Sequence, residues 1–203
     1  MKQDFLPWIA TFFPPLLDLA IGWQWPPLMR ILPCLFAIAI LDNCPEYTSL
    51  SYGFQVKYNG RKGYWFIISI AATTIAFIFS LSISFLFEKP DSTIIKENSA
   101  SFHQFYSWVW TACILYPVIE EFIYRAFFCS LVYKLADEKN AIILSGSFFA
   151  VLHFRYGNPS PFNFVAGYFL AWVYLKGNNI IFPVMLHSFG NMLLIAIFYF
   201  SIH

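Results

Sequence analysis

Apolar residues run along this chain in long blocks separated by short polar connections. A helix that crosses a bilayer needs about 20 mostly apolar residues. Tyr64–Phe87 meets that length with no charge inside it, between Arg61 and Lys62 on one side and Glu88 and Lys89 on the other. Phe5–Trp23 is broken by Pro14 and Pro15, and Leu28–Leu41 is short unless it begins in the interface. Phe102–Val118 runs into a charged motif and on through Phe127–Leu135, followed by Ala141–Phe154, Pro161–Leu175 and Asn179–Phe200. That predicts about seven spans, or eight if Pro117 splits the stretch from Phe102 to Leu135 into two helical pieces. Lipid offers backbone groups no partners, and no alternating ten-residue barrel pattern is present, so the spans are read as helices. The expected fold is all-α, a polytopic transmembrane helical bundle.

Composition strengthens this reading. Of 203 residues, 59% are hydrophobic and only 11% charged, where a soluble domain carries roughly 25% charged residues. Mean hydropathy is +0.62, and the 25 Phe, 12 Tyr and 7 Trp suit interfacial layers. A formal net charge of +1 gives no reason to expect a nucleic-acid partner. Cys34, Cys44, Cys113 and Cys129 form no C-x-x-C pair and read as small apolar residues. Lys2 precedes an apolar stretch, but Pro14, Pro15 and Asp18 lie inside it and no small-residue cleavage site follows, so it is read as a retained span. Lys57, Arg61 and Lys62 place the loop Asp42–Gly63 in the cytoplasm by the positive-inside rule. With no internal repeat or low-complexity tract, residues 1–203 read as one integral-membrane domain, expected in the cell (plasma or inner) membrane.

The polar residues left inside the spans are few. Glu120, Glu121 and Arg125 share one segment, His153 lies near the end of the segment SGSFFAVLHF, and His187 and Asn191 lie in LHSFGN of the last span. An ionisable residue at a helix centre costs about 2.5–3.5 kcal/mol, so the first cluster alone costs roughly 8 kcal/mol before pairing. Glu121 and Arg125 are four apart and stack on one helical face, which reads as a structural ion pair. Glu120 points about 100° away and is left free for chemistry. His187 and Asn191, also four apart, present one polar face. Ser145, Gly146 and Ser147 before His153, and Gly190 beside Asn191, would let helices approach closely enough for these side chains to meet.

Each feature has a plainer reading. A Glu–Arg pair can be a clamp, a lone His near a helix end can be interfacial, and a His-x-x-x-Asn face can serve interhelical hydrogen bonding. His103 and His203 read as interfacial. Taken together, a carboxylate, an imidazole and two further donors are what peptide hydrolysis requires. Carboxylate and imidazole can deprotonate a water, and imidazole N–H and amide NH₂ can stabilise an oxyanion. No Ser sits in G-x-S-x-G and no Cys has a triad, which favours an activated water over a covalent nucleophile.

In order and spacing, E-E-x-x-x-R at Glu120–Arg125, F-x-x-x-H at Phe149–His153 and H-x-x-x-N at His187–Asn191 resemble the CPBP (Abi) intramembrane proteases, which include the type II CAAX prenyl endopeptidases. The resemblance covers roughly Phe102–Phe200. Tyr124 fits the first motif as the aromatic before the arginine. The family is a helical membrane bundle of glutamic-type endopeptidases. The resemblance implies that Glu120 is the base, that His153 helps hold the water, and that His187 and Asn191 form the oxyanion site. It also divides the chain into variable spans over 1–101 and a catalytic core over 102–200. The amino-terminal half resembles nothing specific and is assigned to substrate recognition or packing. No cofactor is implied. The expected partners are a membrane-associated protein or peptide substrate and the lipid bilayer, with oligomeric state open.

Three other readings compete. Glu120, His153 and His187 could bind zinc with one position open, as in a metalloprotease, although H-E-x-x-H is lacking. A non-catalytic member of the same family, a bacteriocin-immunity protein or scaffold, would carry the same motifs. A proton-coupled transporter would also bury Glu and His, but paired halves are missing.

Overall fold

The computed structural model describes residues 5–42, 71 and 107–202. Most of the Tyr64–Phe87 span, its flanking loops and His103 lie outside the described residues. Every described element is helical, so the all-α expectation holds. The elements are α1 (Phe5–Ile21), 3₁₀ turns at Gly22–Gln24 and Pro27–Ile31, and α2 (Leu32–Asp42). A π-helical turn at Thr111–Leu115 precedes α3 (Tyr116–Glu121), and a π-helix at Phe122–Cys129 follows it. Then come α4 (Ser130–Leu135), α5 (Glu138–Arg155), α6 (Phe162–Gly177) and α7 (Ile181–Ile202). Among the described residues no helix is long and apolar enough to cross a membrane. The chain forms two compact units, one of Met1–Asn59 with Ile119–Pro183 and the other of Gly60–Val118 with Val184–His203.

In the first unit, α1 corrects one expectation. Pro14 and Pro15 do not interrupt it, and the helix continues to Ile21. Each proline removes an i→i−4 bond, yet both lie on the buried stripe Pro7, Ala10, Thr11, Pro14, Pro15 and Asp18. That spacing of three and four is one helical face, so tertiary packing holds the segment where local propensity would not. Pro117 likewise does not split its segment into two separate helices. The helical run is continuous from residue 107 to residue 135, and Pro117 falls within it directly after the π-helical turn.

The pair α5 and α6 is an antiparallel hairpin with defined ends. Asp137 caps α5 by accepting from the Asn140 N–H at 2.7 Å. The other end closes in a Schellman arrangement, Asn158 N–H donating to the His153 carbonyl at 2.8 Å with Gly157 at φ +93°. α6 ends on Asn178 in the left-handed conformation, φ 46°. Lys176 pairs with Glu138 at 2.7 Å and ties the end of α6 to the start of α5. Midway, Gly146 meets Gly167 so closely that a Cβ on Gly167 would lie 2.6 Å from the Gly146 carbonyl oxygen. The close approach expected around Ser145–Ser147 is therefore real, with Gly167 as its counterpart. Gly190 is different: among the described residues a Cβ there would meet nothing within 4 Å.

This unit buries an apolar core that includes Ile119, Ile123, Phe127, Leu131 and Leu152, and it also leaves large apolar side chains exposed and charges buried. Phe5 (69% exposed), Ile9 (64%) and Phe36 (63%) face outward, while Asp18, Arg30, Glu120, Glu121 and Arg125 are buried.

Candidate active site

The first charged motif occupies the junction of α3 and the π-helix that follows. Glu121 and Arg125 are fully buried and paired, Nε to Oε2 at 3.1 Å, as the four-residue spacing predicted. Arg125 also donates to the Gly167 carbonyl at 3.2 Å, and its guanidinium lies 4.5 Å from the centroid of the Phe149 ring. The tight glycine crossing thus presents a bare carbonyl to the arginine. Wider π geometry, common where helices carry functional groups, buries every residue from Ile123 to Cys129.

Phe149 gives the F-x-x-x-H spacing its physical sense. It carries Arg125 on its ring and lies against His153, with centroids 4.4 Å apart and ring planes tilted by 41°, one helical turn along α5. The His153 Nδ1–H donates to the Phe149 carbonyl at 2.9 Å. That bond puts the proton on Nδ1 and leaves Nε2 of the neutral ring as an acceptor. Nε2 lies 3.9 Å from Glu120 Oε2. The gap is too long for a direct hydrogen bond and suits one bridging water.

Glu120 is buried, and it is not left unpaired as its helical direction suggested. Its Oε1 lies 3.4 Å from Nη1 of Arg30, in the 3₁₀ turn before α2. Arg30 grips Asp18 of α1 through both carboxylate oxygens, Nε to Oδ1 at 2.7 Å and Nη2 to Oδ2 at 2.9 Å. The Tyr124 hydroxyl adds a third bond to Asp18, 2.8 Å long. Gly22 leaves room for this carboxylate, since a Cβ there would collide with it. Sequence reasoning missed Arg30 and noted Asp18 only as an obstacle to a signal peptide. The signal was available: an acid and a base inside two apolar stretches of low total charge.

His187 and Asn191 belong to the second unit, on consecutive turns of α7. His187 is buried. The Asn191 amide NH₂ donates one hydrogen to the Ala112 carbonyl at 2.8 Å. Ala112 lies in the π-helical turn Thr111–Leu115, whose altered bonding frees a carbonyl for such a partner.

Residues 102–193 match the family model for the Rce1-like type II CAAX prenyl endopeptidases. All three motifs lie inside that stretch, and over those residues the chain is similar to this family. No curated protein and no solved structure matches the chain.

Proposed function

We propose that this protein is an intramembrane endopeptidase that hydrolyses a peptide bond of a membrane-associated protein or peptide through a water activated by Glu120 and His153. The observation that carries the reading is the facing pair of acceptors, Glu120 Oε2 and His153 Nε2, 3.9 Å apart with the imidazole tautomer set by Phe149. A water between them can donate a hydrogen to each and keep a lone pair for the substrate carbonyl. Attack transfers the water proton to Glu120 and forms a C–O bond, with the carbonyl electrons moving to oxygen. His187 and Asn191 are proposed to donate to that oxyanion. Collapse breaks the C–N bond, and Glu120 returns its proton to the leaving amine. Glu121 and Arg125 hold the segment in place.

The membrane setting is part of the proposal. Large apolar side chains face outward over α1 and α2 while the charges lie inside, the arrangement that lipid favours. The chain is proposed as a multi-pass protein of the cell membrane whose partners are the bilayer and its substrate. A zinc-dependent hydrolase is the second reading, because a His anchored through Nδ1 is also how metal-ligating imidazoles are oriented.

The test compares the proteomes of cells producing wild-type protein and the Glu120→Ala variant. The expected result is one or more uncut membrane-associated precursors in the variant cells alone. Identical proteomes, with both proteins inserted at equal levels, would remove the hydrolase reading and leave a scaffold or immunity function.

A further inference from the structure

We propose that Arg30, held by Asp18 and Tyr124, is a positioning residue that fixes the Glu120 carboxylate in the orientation needed for catalysis, so that the amino-terminal segment completes the active site. The role rests on the hydrolase reading; the contact itself does not. Three observations carry it. Arg30 is buried, and its Nε and Nη2 are committed to the two oxygens of Asp18. That two-point grip sets the plane of the guanidinium and aims Nη1 at Glu120 Oε1, 3.4 Å away. With Oε1 directed to Arg30, Oε2 is the oxygen turned to His153. A carboxylate free to rotate would present either oxygen, or neither, to the water.

The anchoring of Asp18 points the same way. Tyr124 donates to Asp18 from the very helical run that carries Glu120, four residues on. Glu120, Tyr124, Asp18 and Arg30 thus close a ring in which movement of α1 or of the turn at Pro27–Ile31 shifts the catalytic carboxylate. Gly22 admits the Asp18 carboxylate where any side chain would displace it. Lysine cannot replace arginine here, because a single ammonium lacks the planar fork that serves Asp18 and Glu120 at fixed angles.

The experiment uses the full chain in liposomes with an internally quenched peptide ending in a farnesylated Cys-aliphatic-aliphatic-X sequence. A misplacement of about 1 Å costs roughly 100-fold in rate. Arg30→Met should therefore lower kcat about 100-fold with KM held within about twofold. Arg30→Lys should recover roughly a tenth of the wild-type rate, since it returns the charge without the fork. Tyr124→Phe keeps the cation and loosens its anchor, and should lower kcat by about threefold. It carries the kinetic test if Arg30→Met does not fold. Independently of turnover, a structure of Arg30→Lys should show Glu120 in more than one conformer, or with Oε2 moved away from His153. Folded Arg30→Met with wild-type kcat, a loss confined to KM, or an Arg30→Lys structure with Glu120 unmoved would each overturn the positioning role. Unimpaired cleavage by Glu120→Gln would instead overturn the role of Glu120 as the base, and no cleavage by the wild type of this or any other membrane-associated peptide would overturn the hydrolase reading; the Arg30→Lys structure would then decide the geometry alone.

Discussion

The Glu121–Arg125 pair offers the sharpest energetic prediction, because both side chains are fully buried and neither can turn to water. Removing one member of a buried ion pair costs about 3–5 kcal/mol, chiefly by stranding the other charge. The structure indicates where in that range each substitution falls. Glu121→Gln leaves Arg125 its bond to the Gly167 carbonyl and its place over Phe149, a desolvated cation–π contact worth about 2 kcal/mol. Its cost should lie near the lower end, about 3 kcal/mol. Arg125→Met removes those contacts as well and strands a carboxylate, so about 5 kcal/mol is expected. The double substitution strands no charge and should recover about 2 kcal/mol relative to the sum of the singles. Unfolding midpoints in mixed micelles, followed by tryptophan fluorescence, give all three values in one cycle. If Glu121→Gln unfolds at the wild-type midpoint, or if the single costs add without coupling, the pair is not the clamp described here.

Three further outcomes are expected. Asn191→Ala should lower kcat about 100–1,000-fold with little change in KM, as for loss of one oxyanion donor; a raised KM at constant kcat would make Asn191 a substrate-binding residue. Gly167→Ala should reduce the yield of folded protein, since its methyl would meet the Gly146 carbonyl at 2.6 Å and overpacking costs about 1–3 kcal/mol or more; a normal yield by size-exclusion chromatography would show that the α5–α6 crossing can open. Activity on the farnesylated peptide should survive phenanthroline and extensive dialysis against chelator, because the proposed water is activated by side chains alone; loss on chelation with recovery on zinc addition would establish the metalloenzyme reading.

Much of the site was legible because its chemistry is local in sequence. Charges and imidazoles are costly among apolar residues, so Glu120, Glu121, Arg125, His153, His187 and Asn191 stood out once the apolar blocks were placed along the chain. Four-residue spacing then assigned Glu121 to Arg125, and the structure pairs them. The same periodicity joined Phe149 to His153, although not the fact that Phe149 also carries Arg125. Helical elements were legible for a similar reason, and α1, α5, α6 and α7 begin within three residues of the apolar blocks that announced them.

What sequence periodicity missed has one common cause: it depends on which helices meet. Regular α geometry left Glu120 unpaired, yet a residue 90 positions earlier reaches it, and loop closure on that scale leaves no trace in local spacing. Prolines in α1 argued for a break because propensity counts only the lost backbone bond, whereas the packed stripe around them outweighs it. Gly167 was unremarked because a glycine shows its purpose only when another backbone lies against it, as Gly146 does. The residue types that chemistry needs, and the helices that carry them, were thus determined by the sequence itself. Which oxygen of Glu120 meets Arg30 and which faces His153 was decided by tertiary structure alone, because direction at a buried carboxylate comes from partners on other helices.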